Sequence, residues 1–510
     1  MGDNGVMRPL LTPEEMKAAD SATIKAGTPG EILMERAGRA VARTVIRLAG
    51  DRYGSRVVCV CGKGNNGGDG FVAARVLRSE GLGVRCMFVG DSDSVTGDAA
   101  THRDRFVADG GYVERFDPVP LRHSTVVIDA LFGTGFRGQA EGDAKRAIEA
   151  INDCAATVVS IDVPSGVDAT TGRTDGPSVK AHVTVAMAAE KVGTATGEGA
   201  TRAGFVEAVD IGIEVGDASV FMLDEADVAG VLPRRGPDSH KRSAGSVGLL
   251  CGSEAMSGAA ILAARGAMRM GAGYATLGVP VAIRSTIISK LPEVLTSVVT
   301  QDPHLGADAL RNFKSVLDRA DSLALGSGLG QGDDQRGLVQ AVLREVSQPV
   351  VLDADGLNVL AGDTGPLEER SAPTVLTPHP AELARLLECP TEFVQADRLG
   401  VARKAAEYFG CVVVLKGHRS IISAPDGRAV INPAGSAELA TAGTGDVLTG
   451  AIAALLAAGL DAFAAAWAAA LVHGVAGSIA GERLGPAGVV AWDVAESLPA
   501  AIAAIGGAWD

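Results

Sequence analysis

The first half of the chain repeats one hydrophobic pattern, in which an apolar, β-rich run leads into a glycine-containing loop and then a helical stretch. The runs that predict strands are 56–61, 125–129, 157–162 and 182–187. A helix is predicted before them, over about residues 12–49, with apolar positions spaced for one buried face. Continuous apolar strands alternating with helices indicate a parallel sheet covered on both faces, so we expect a Rossmann-like α/β domain.

The pattern breaks over residues 217–237, where a proline-containing stretch predicts irregular structure, and then starts again. Further strands are predicted at 246–251, 274–279, 323–325, 350–353, 374–376 and 412–415, with a helix over 258–271. We therefore place a boundary at residue 225 and expect two α/β domains, 1–225 and 226–510.

Length and charge narrow the class of protein. The chain has 510 residues, 47% of them apolar, and a net charge of −15. That length predicts more than one domain, and the acidic balance argues against a nucleic-acid partner. The 66 glycines are many against 4% aromatic residues, which points to backbone turns that approach ligands closely.

Cysteine usage and hydropathy bear on the compartment. The seven cysteines lack metal or disulfide spacing and are read as small core residues, and Cys59 and Cys61 face the same way in one strand. Residues 447–476 are rich in Ala and Leu but too interrupted to span a membrane, and no signal peptide is visible. We expect a cytoplasmic protein without a membrane partner, and a homo-oligomer is left open.

Three loops of the first half leave strands at the edge where ligands of parallel sheets bind. They are the glycine-rich segment 62–70, the segment 129–135 and the segment 162–168. Glycines let backbone N–H groups approach an anion, and a following helix adds its positive dipole. Asn66, Asp129 and Ser165 are hard oxygen donors of little total charge, which suits a weakly held hard cation rather than zinc or copper.

In the second half, Gly443, Thr444 and Gly445 are predicted to open a helix and to present N–H groups to phosphate. Asp446 follows at once and could accept a proton from a hydroxyl lying over that site. A helix cap is the structural alternative for Asp446.

The motifs GNNGGDG, DALFGTG and DVPSGVD, in that order, resemble the N-terminal domain of the NAD(P)HX epimerases over about residues 16–220. The resemblance implies a substrate that is the hydrated form of NADH or NADPH, and a potassium ion on Asn66, Asp129 and Ser165. Asp162 and Lys191 are the candidates for the proton or ring-opening chemistry. The implied substrate contacts are Asn65, Asn66, Gly67, Gly68, Asp69, Gly133, Thr134, Gly135, Phe136, Arg137, Gly138, Gln139 and Asp162.

The GTGD segment resembles the ribokinase-like superfamily. Together with HK at 240–241, GSGLG at 326–330, TPHPAE at 377–382 and KGHRS at 416–420, it resembles the ADP- or ATP-dependent NAD(P)HX dehydratases over about residues 235–505. The resemblance implies Mg²⁺ and ADP or ATP as cofactors, and Asp446 as catalytic base. Substrate contacts would come from Ala259, Gly328, His379 and Asp446. Nucleotide contacts would come from Lys416, Gly417, His418, Arg419, Ser420, Ser436, Ala437, Glu438, Leu439, Ala440, Thr441, Ala442, Gly443, Thr444 and Gly445.

Departures from the dehydratase pattern put nucleotide affinity and the choice of nucleotide in doubt. They are Ser327, Ala381, Ala442 and the segment 436–438, where the charge of Glu438 near a phosphate is unexpected. Three alternatives stay open. In one, the first half only binds nucleotides or protein partners and serves as a scaffold for the second half. Another is a ribokinase-like small-molecule kinase fused to a non-catalytic nucleotide-binding domain. The third is an NAD dehydrogenase that uses the GxGxxG of Gly62, Gly64 and Gly67, with Asp91 near the spacing of a ribose-binding acid.

Overall fold

The structure is a computed structural model that describes residues 7–50, 54–236, 238–435 and 437–506. Contacts divide this part of the chain into two compact units, one of residues 9–220 and one of residues 221–506 together with Met7 and Arg8. The predicted boundary at residue 225 falls at the start of a helix, five residues past this division. Both units are α/β, as the pattern of apolar positions predicted.

The N-terminal unit alternates strands and helices along its length. Its strands are β1 (Arg8–Leu11), β2 (Arg56–Cys61), β3 (Gly83–Phe88), β4 (Val113–Arg115), β5 (Val126–Ala130), β6 (Thr157–Ile161), β7 (Val183–Met187), β8 (Glu190–Lys191) and β9 (Phe205–Val209). Its helices are α1 (Pro13–Lys25), α2 (Gly30–Ala49), α3 (Asn65–Ser79), α4 (Gly97–Ala108), α5 (Gly142–Asn152), α6 (Val192–Ala195) and α7 (Gly199–Arg202).

Seven strands of this unit form a parallel sheet in the order β4-β3-β2-β5-β6-β7-β9, and β1 pairs in parallel with β8. On one face of the sheet, α2 buries Leu33, Ala37, Val41 and Val45, a spacing that keeps one helical stripe inward. The carboxyl ends of β2, β5 and β6 are neighbours, so the three predicted loops meet at one edge.

The single helix predicted over residues 12–49 is wrong, because the structure has two helices there. Gly27 has φ +108°, a left-handed conformation that ends the first helix, and Pro29 caps the second. The prediction of irregular structure over 217–237 is also wrong in part, since a short strand and a helix lie within it. The other predicted strand ends are right to within one or two residues.

The C-terminal unit has the same alternation. Its strands are β10 (Val220–Met222), β11 (Ser246–Leu250), β12 (Tyr274–Pro280), β13 (Leu295–Thr300), β14 (Ser322–Leu325), β15 (Val350–Leu352), β16 (Thr374–Leu376), β17 (Val412–Leu415), β18 (Ile421–Ser423) and β19 (Ala429–Ile431). Its helices are α8 (Glu225–Val231), α9 (Ser257–Arg269), α10 (Val281–Lys290), α11 (Ala307–Leu317), α12 (Asp333–Glu345), α13 (Asp355–Asn358), α14 (Gly365–Glu368), α15 (Pro380–Leu386), α16 (Thr391–Ala396), α17 (Arg398–Phe409), α18 (Thr444–Ala457), α19 (Ala462–Leu484) and α20 (Ala491–Gly506).

The sheet of this unit runs in the order β13-β12-β11-β14-β15-β16-β17-β18-β19-β10. It is parallel from β13 to β17, and β18 and β19 form an antiparallel extension. Helix α19 is long and apolar enough to cross a membrane by length and composition alone. However, 78% of its most apolar window is buried inside the fold. It packs as a core helix of this unit, in line with the packed helices predicted from residues 447–476.

Candidate active sites

A cavity of about 860 Å³ opens at the carboxyl edge of the N-terminal sheet. The loop after β5 contributes Gly133, Thr134, Gly135, Phe136 and Arg137 to its wall. The start of α3 contributes Asn65, Asn66 and Asp69, and the floor includes Asp162 and Lys191. The volume lies in the range of small-molecule sites. Most of the predicted substrate contacts of this unit therefore line one space.

The glycine-rich segment differs from its prediction, because α3 already begins at Asn65. Gly64 is the N-cap and no side chain caps the helix, so the first N–H groups of α3 remain free for an anion. Gly67 must be glycine, since a Cβ there would lie 1.9 Å from the Gly62 carbonyl oxygen. Packing against that carbonyl overrides the poor helix propensity of Asn and Gly.

Asp162 and Lys191 form an ion pair at the floor of the cavity. Lys191 Nζ lies 2.5 Å from Asp162 Oδ1, and the Lys191 side chain is fully buried. Asp162 has φ +67°, an uncommon backbone conformation that prevents β6 from continuing through it as predicted. Strain of this kind in a cavity wall is typical of functional residues.

Asp69 shares the cavity with this pair. Burial, reinforced by the negative charge of Asp162, raises the pKa of Asp69 well above its ordinary value. The cavity thus combines a carboxylate paired to a lysine with a second carboxyl group whose pKa is raised by burial.

The three residues predicted to hold a cation also meet. Asp129 is fully buried and accepts hydrogen bonds from Ser165 Oγ (2.6 Å) and Ser160 Oγ (2.8 Å). Asn66 Nδ2 donates to the Phe132 carbonyl (2.8 Å), which leaves its amide oxygen available. Burial raises the pKa of Asp129, and no ion pair with it occurs among the described residues. This donor set of hard oxygens around a buried carboxylate fits a monovalent cation.

Four predicted contacts of this unit do not line the cavity. Gly67 and Gly68 lie within α3, where they pack against Gly62 and Met34. Gly138 and Gln139 lie farther along the loop, outside the cavity lining. The Gln139 side chain is instead held by Asp175, because its Nε2 donates to the Asp175 carbonyl (2.7 Å).

In the C-terminal unit, α18 begins at Thr444 as predicted, with Gly443 as its N-cap. No side chain caps this helix, so the Asp446 carboxylate is not used as a cap. Burial, with the charge of Asp353 next in size, raises the pKa of Asp446 to about 7. A group with that pKa can take up and release a proton at neutral pH.

Sequence reasoning assigned no role to Asp353, the acidic group at the centre of this site. Asp353 is buried and accepts hydrogen bonds from Lys416 Nζ (2.7 Å) and Thr377 Oγ1 (2.7 Å). Lys416 also lies 3.9 Å from Glu382 Oε2. Burial alone would lower the pKa of Lys416, but the negative charges of Asp353 and Glu382 outweigh burial and raise that pKa. Asp353 follows β15 directly. A position at the carboxyl end of a strand, which pointed to Asp129 and Asp162, could therefore have pointed to Asp353 as well.

These groups lie against the predicted phosphate site. A Cβ at Gly445 would be 3.4 Å from Lys416 Nζ and 3.9 Å from Asp353 Oδ2. Three carboxyl groups, Asp353, Glu382 and Asp446, therefore surround one lysine. That excess of negative charge, carried by oxygen ligands, fits Mg²⁺.

The predicted substrate contacts Ala259 and Gly328 are adjacent. A Cβ at Gly328, which has φ +65°, would lie 2.7 Å from the Ala259 Cβ. His379 is the N-cap of α15, and its Nδ1 accepts from the N–H groups of Ala381 (3.1 Å) and Glu382 (3.2 Å). The proton of the neutral ring is therefore on Nε2. Burial lowers the pKa of His379.

The predicted nucleotide loop 416–420 is organised by Arg398, a second residue that sequence reasoning missed. Arg398 is buried and donates to the carbonyls of His418 (2.5 Å), Lys416 (3.3 Å) and Leu415 (3.4 Å). Burial lowers the pKa of Arg398 to about 10. Of the second predicted nucleotide segment, 436–445, Ser436 lies outside the described residues, and Ala437–Leu439 forms a 3₁₀ turn.

The structure shows the contacts of two residues that depart from the dehydratase pattern, Ser327 and Glu438. Ser327 Oγ donates a hydrogen bond to Asp353 Oδ2 (3.4 Å), and the nearby Ser327 hydroxyl also lowers the pKa of Asp446. The Glu438 side chain packs against α19, where a Cβ at Gly481 would be 2.5 Å from Glu438 Cγ.

Comparison with known proteins assigns the family. The model described as NAD(P)H-hydrate dehydratase matches residues 247–500, and the model described as YjeF-related protein N-terminus matches residues 30–193. The bifunctional NAD(P)H-hydrate repair enzyme of Moorella thermoacetica is 39% identical over 96% of this chain and 96% of its own length. The chain belongs to the bifunctional NAD(P)H-hydrate repair enzymes.

Other members of this repair family and one solved structure agree. The Escherichia coli repair enzyme is 32% identical, covering 86% of this chain and 83% of its own. A Bacillus subtilis ADP/ATP-dependent NAD(P)H-hydrate dehydratase, co-crystallised with ATP and Mg²⁺, is 32% identical with a TM-score of 0.50. It covers 56% of this chain and 98% of its own. The predicted resemblances, the α/β fold class and the bifunctional enzyme class are confirmed, and the kinase and dehydrogenase alternatives are not favoured.

Proposed function

We propose that this chain returns hydrated NADH and NADPH to their active forms in two steps. The N-terminal unit interconverts the R and S hydrates, and the C-terminal unit removes the hydroxyl of the S form at the expense of ADP or ATP. The observation that carries the proposal is the Asp446 carboxyl group, which has a pKa of about 7 and does not cap α18. It lies in the first turn of that helix, whose N-terminal N–H groups no side chain caps.

The dehydration needs a better leaving group than hydroxide. Asp446 accepts the proton of the substrate hydroxyl, whose oxygen attacks the terminal phosphorus of the nucleotide. The N–H groups of residues 443–445 stabilise the charge of the transferring phosphoryl group. Phosphate then leaves from the ring carbon, assisted by the ring nitrogen, and the neighbouring carbon loses a proton. The products are NAD(P)H, inorganic phosphate and the shortened nucleotide.

Asp353, whose Oδ2 lies against Gly445, would help to hold Mg²⁺, which neutralises charge on the nucleotide phosphates when bound. Lys416 pairs with Asp353 (2.7 Å) and lies against Gly445 as well. The lysine is therefore placed to bind the phosphates beside that ion. Arg398 fixes the backbone of the loop that carries Lys416.

The epimerisation acts on a carbon that bears both a hydroxyl group and the ring nitrogen. Loss and return of the hydroxyl, or opening and closing of the ring, inverts that carbon, and either route needs an acid and a base. Asp162 acts as the base, and Asp69, whose pKa is raised by burial, acts as the acid.

Asn66, Asp129 and Ser165 would hold K⁺, which supplies positive charge beside the substrate when bound. The buried Asp129 without an ion pair supports this proposal. Asp129→Ala should abolish the potassium-dependent part of R–S exchange, whereas unchanged exchange would refute the ion site.

The free cysteines support a location in the reducing cytoplasm.

One experiment tests both steps. A mixture of R and S hydrate is given ADP or ATP, and the return of the dihydronicotinamide absorbance is followed. The wild type should recover the whole mixture. Asp446→Asn should recover none, and Asp162→Asn should recover the S fraction quickly and the rest only at the spontaneous rate. Full recovery by Asp446→Asn would overturn the dehydratase assignment.

A further inference from the structure

Three buried cysteines meet in the core of the N-terminal unit. Cys59 and Cys61 lie on β2, and Cys86 lies opposite Cys59 on β3. The Sγ atoms of Cys59 and Cys61 are 3.5 Å apart, and those of Cys61 and Cys86 are 3.6 Å apart. All three side chains are fully buried. No disulfide joins them.

The three sulfur atoms form a triangle with the dimensions of a metal–thiolate site. All three lie within 4.8 Å of one another. With sides of 3.5 and 3.6 Å, a point equidistant from the sulfurs is about 2.1–2.4 Å from each, which brackets the zinc–sulfur distance of about 2.3 Å. An ion could therefore bind without moving the strands.

The helix above the triangle leaves room and supplies a further donor. Gly70 of α3 has no side chain, and a Cβ there would lie 2.8 Å from Cys61 Sγ and 3.1 Å from Cys59 Sγ. The Gly70 carbonyl oxygen is 3.4 Å from Cys59 Sγ, on the same side. It could complete the fourfold coordination that zinc prefers.

We propose that Cys59, Cys61 and Cys86 form a site for a thiophilic divalent d¹⁰ cation of the Zn²⁺ and Cd²⁺ class. Thiolate sulfur selects soft ions over K⁺ and Mg²⁺. A divalent ion with three thiolates leaves one net negative charge in the core, whereas Cu⁺ would leave two. Because burying uncompensated charge is costly, the divalent ion is the better match.

The test uses the full-length protein, reduced with a phosphine and incubated with CdCl₂. After desalting, we expect one tightly held Cd²⁺ per chain, an ultraviolet thiolate-to-cadmium charge-transfer band and a raised melting temperature. Cys86→Ala and Cys59→Ala should each lose the band. Cys411→Ser is the control, since Cys411 is a buried free cysteine of the other unit that is not part of this cluster. The Cys411→Ser protein should keep the band.

Two outcomes would overturn the proposal. One is a wild-type protein that takes up no Cd²⁺ and shows no band, which would make the cysteines small core residues only. The other is a band that persists unchanged in a folded Cys86→Ala variant. The wild-type measurement decides even if the alanine variants fail to fold.

Discussion

Lys191 Nζ is 2.5 Å from Asp162 Oδ1 and also donates to the carbonyls of Met187 (2.6 Å) and Ala189 (3.0 Å). A lysine ammonium has three N–H donors, so all of them are used. Lys191 therefore has none left for a substrate. We therefore propose that Lys191 is a positioning residue, which orients the Asp162 carboxylate in the cavity.

Lys191→Met should lower R–S exchange by about 100-fold or more, because Asp162 loses both its orientation and its counter-charge. Leaving a buried carboxylate unpaired should also cost about 3–5 kcal/mol of unfolding free energy. Dehydration of pure S hydrate by the same protein is the internal control and should not change. Exchange is measured by chromatographic separation of the two hydrates.

The double variant Lys191→Met with Asp162→Asn separates stability from catalysis. Removing both charges should restore much of the lost unfolding free energy, since no ion is left buried. Exchange should stay abolished. Recovery of exchange together with stability would show that the pair is only structural.

Ser327→Ala should shift the pH profile of the dehydratase. The Ser327 hydroxyl favours the Asp446 carboxylate, so its removal raises the pKa of Asp446 above about 7, by about 0.7 unit for an interaction of about 1 kcal/mol. A smaller fraction of the base is then ionised at pH 7. The acidic limb of the rate profile should move to higher pH, while the high-pH plateau is kept.

The matched control is Ser322→Ala, another buried serine of the same unit, whose hydroxyl donates to the Ala453 carbonyl (2.7 Å). It should lower stability without moving the pH profile. An identical profile for Ser327→Ala and the wild type would contradict the role given to Ser327.

Arg398→Met should raise the KM for ADP or ATP by about tenfold or more. The guanidinium holds three carbonyls next to the nucleotide loop, and hydrogen bonds from a charged donor are worth about 1.5–3 kcal/mol. Arg428→Met, which removes an exposed ion pair with Asp426 in the following hairpin, is the control and should leave KM unchanged. Equal KM values for Arg398→Met and the wild type would show that the loop needs no such support.

The features that depend on local sequence could be predicted. Apolar runs predicted the strands, and the position of Asp129, Asp162 and the start of α3 after strands predicted that they lie at one edge of the sheet. The sequence could not show that Lys191 is fully buried or that Arg398 holds a loop 18 residues away, because both depend on contacts made only in the folded chain. Nor could it place Cys86 beside Cys59, since strand register is set by the packing of the whole sheet.

His473→Gln should make the C-terminal unit less sensitive to acid. His473 is buried on α19, and its Nε2 lies 3.0 Å from the Thr444 carbonyl at the start of α18. Burial lowers its pKa to about 4, against about 6.5 in the unfolded chain. Between these values the unfolded chain binds a proton that the folded chain does not. The stability is therefore fully present above pH 6.5 and falls as pH drops toward 4, by about 3 kcal/mol in all.

Glutamine cannot titrate but can still donate to the Thr444 carbonyl, so the variant should lose less stability between pH 7 and pH 4 than the wild type. All three tryptophans lie after residue 460, so urea unfolding followed by tryptophan fluorescence reports on this unit. His240→Gln, at an exposed position, is the control and should follow the wild type. If all three proteins lost stability in parallel, the acid sensitivity would belong to other groups, and His473 would serve only to fix the start of α18.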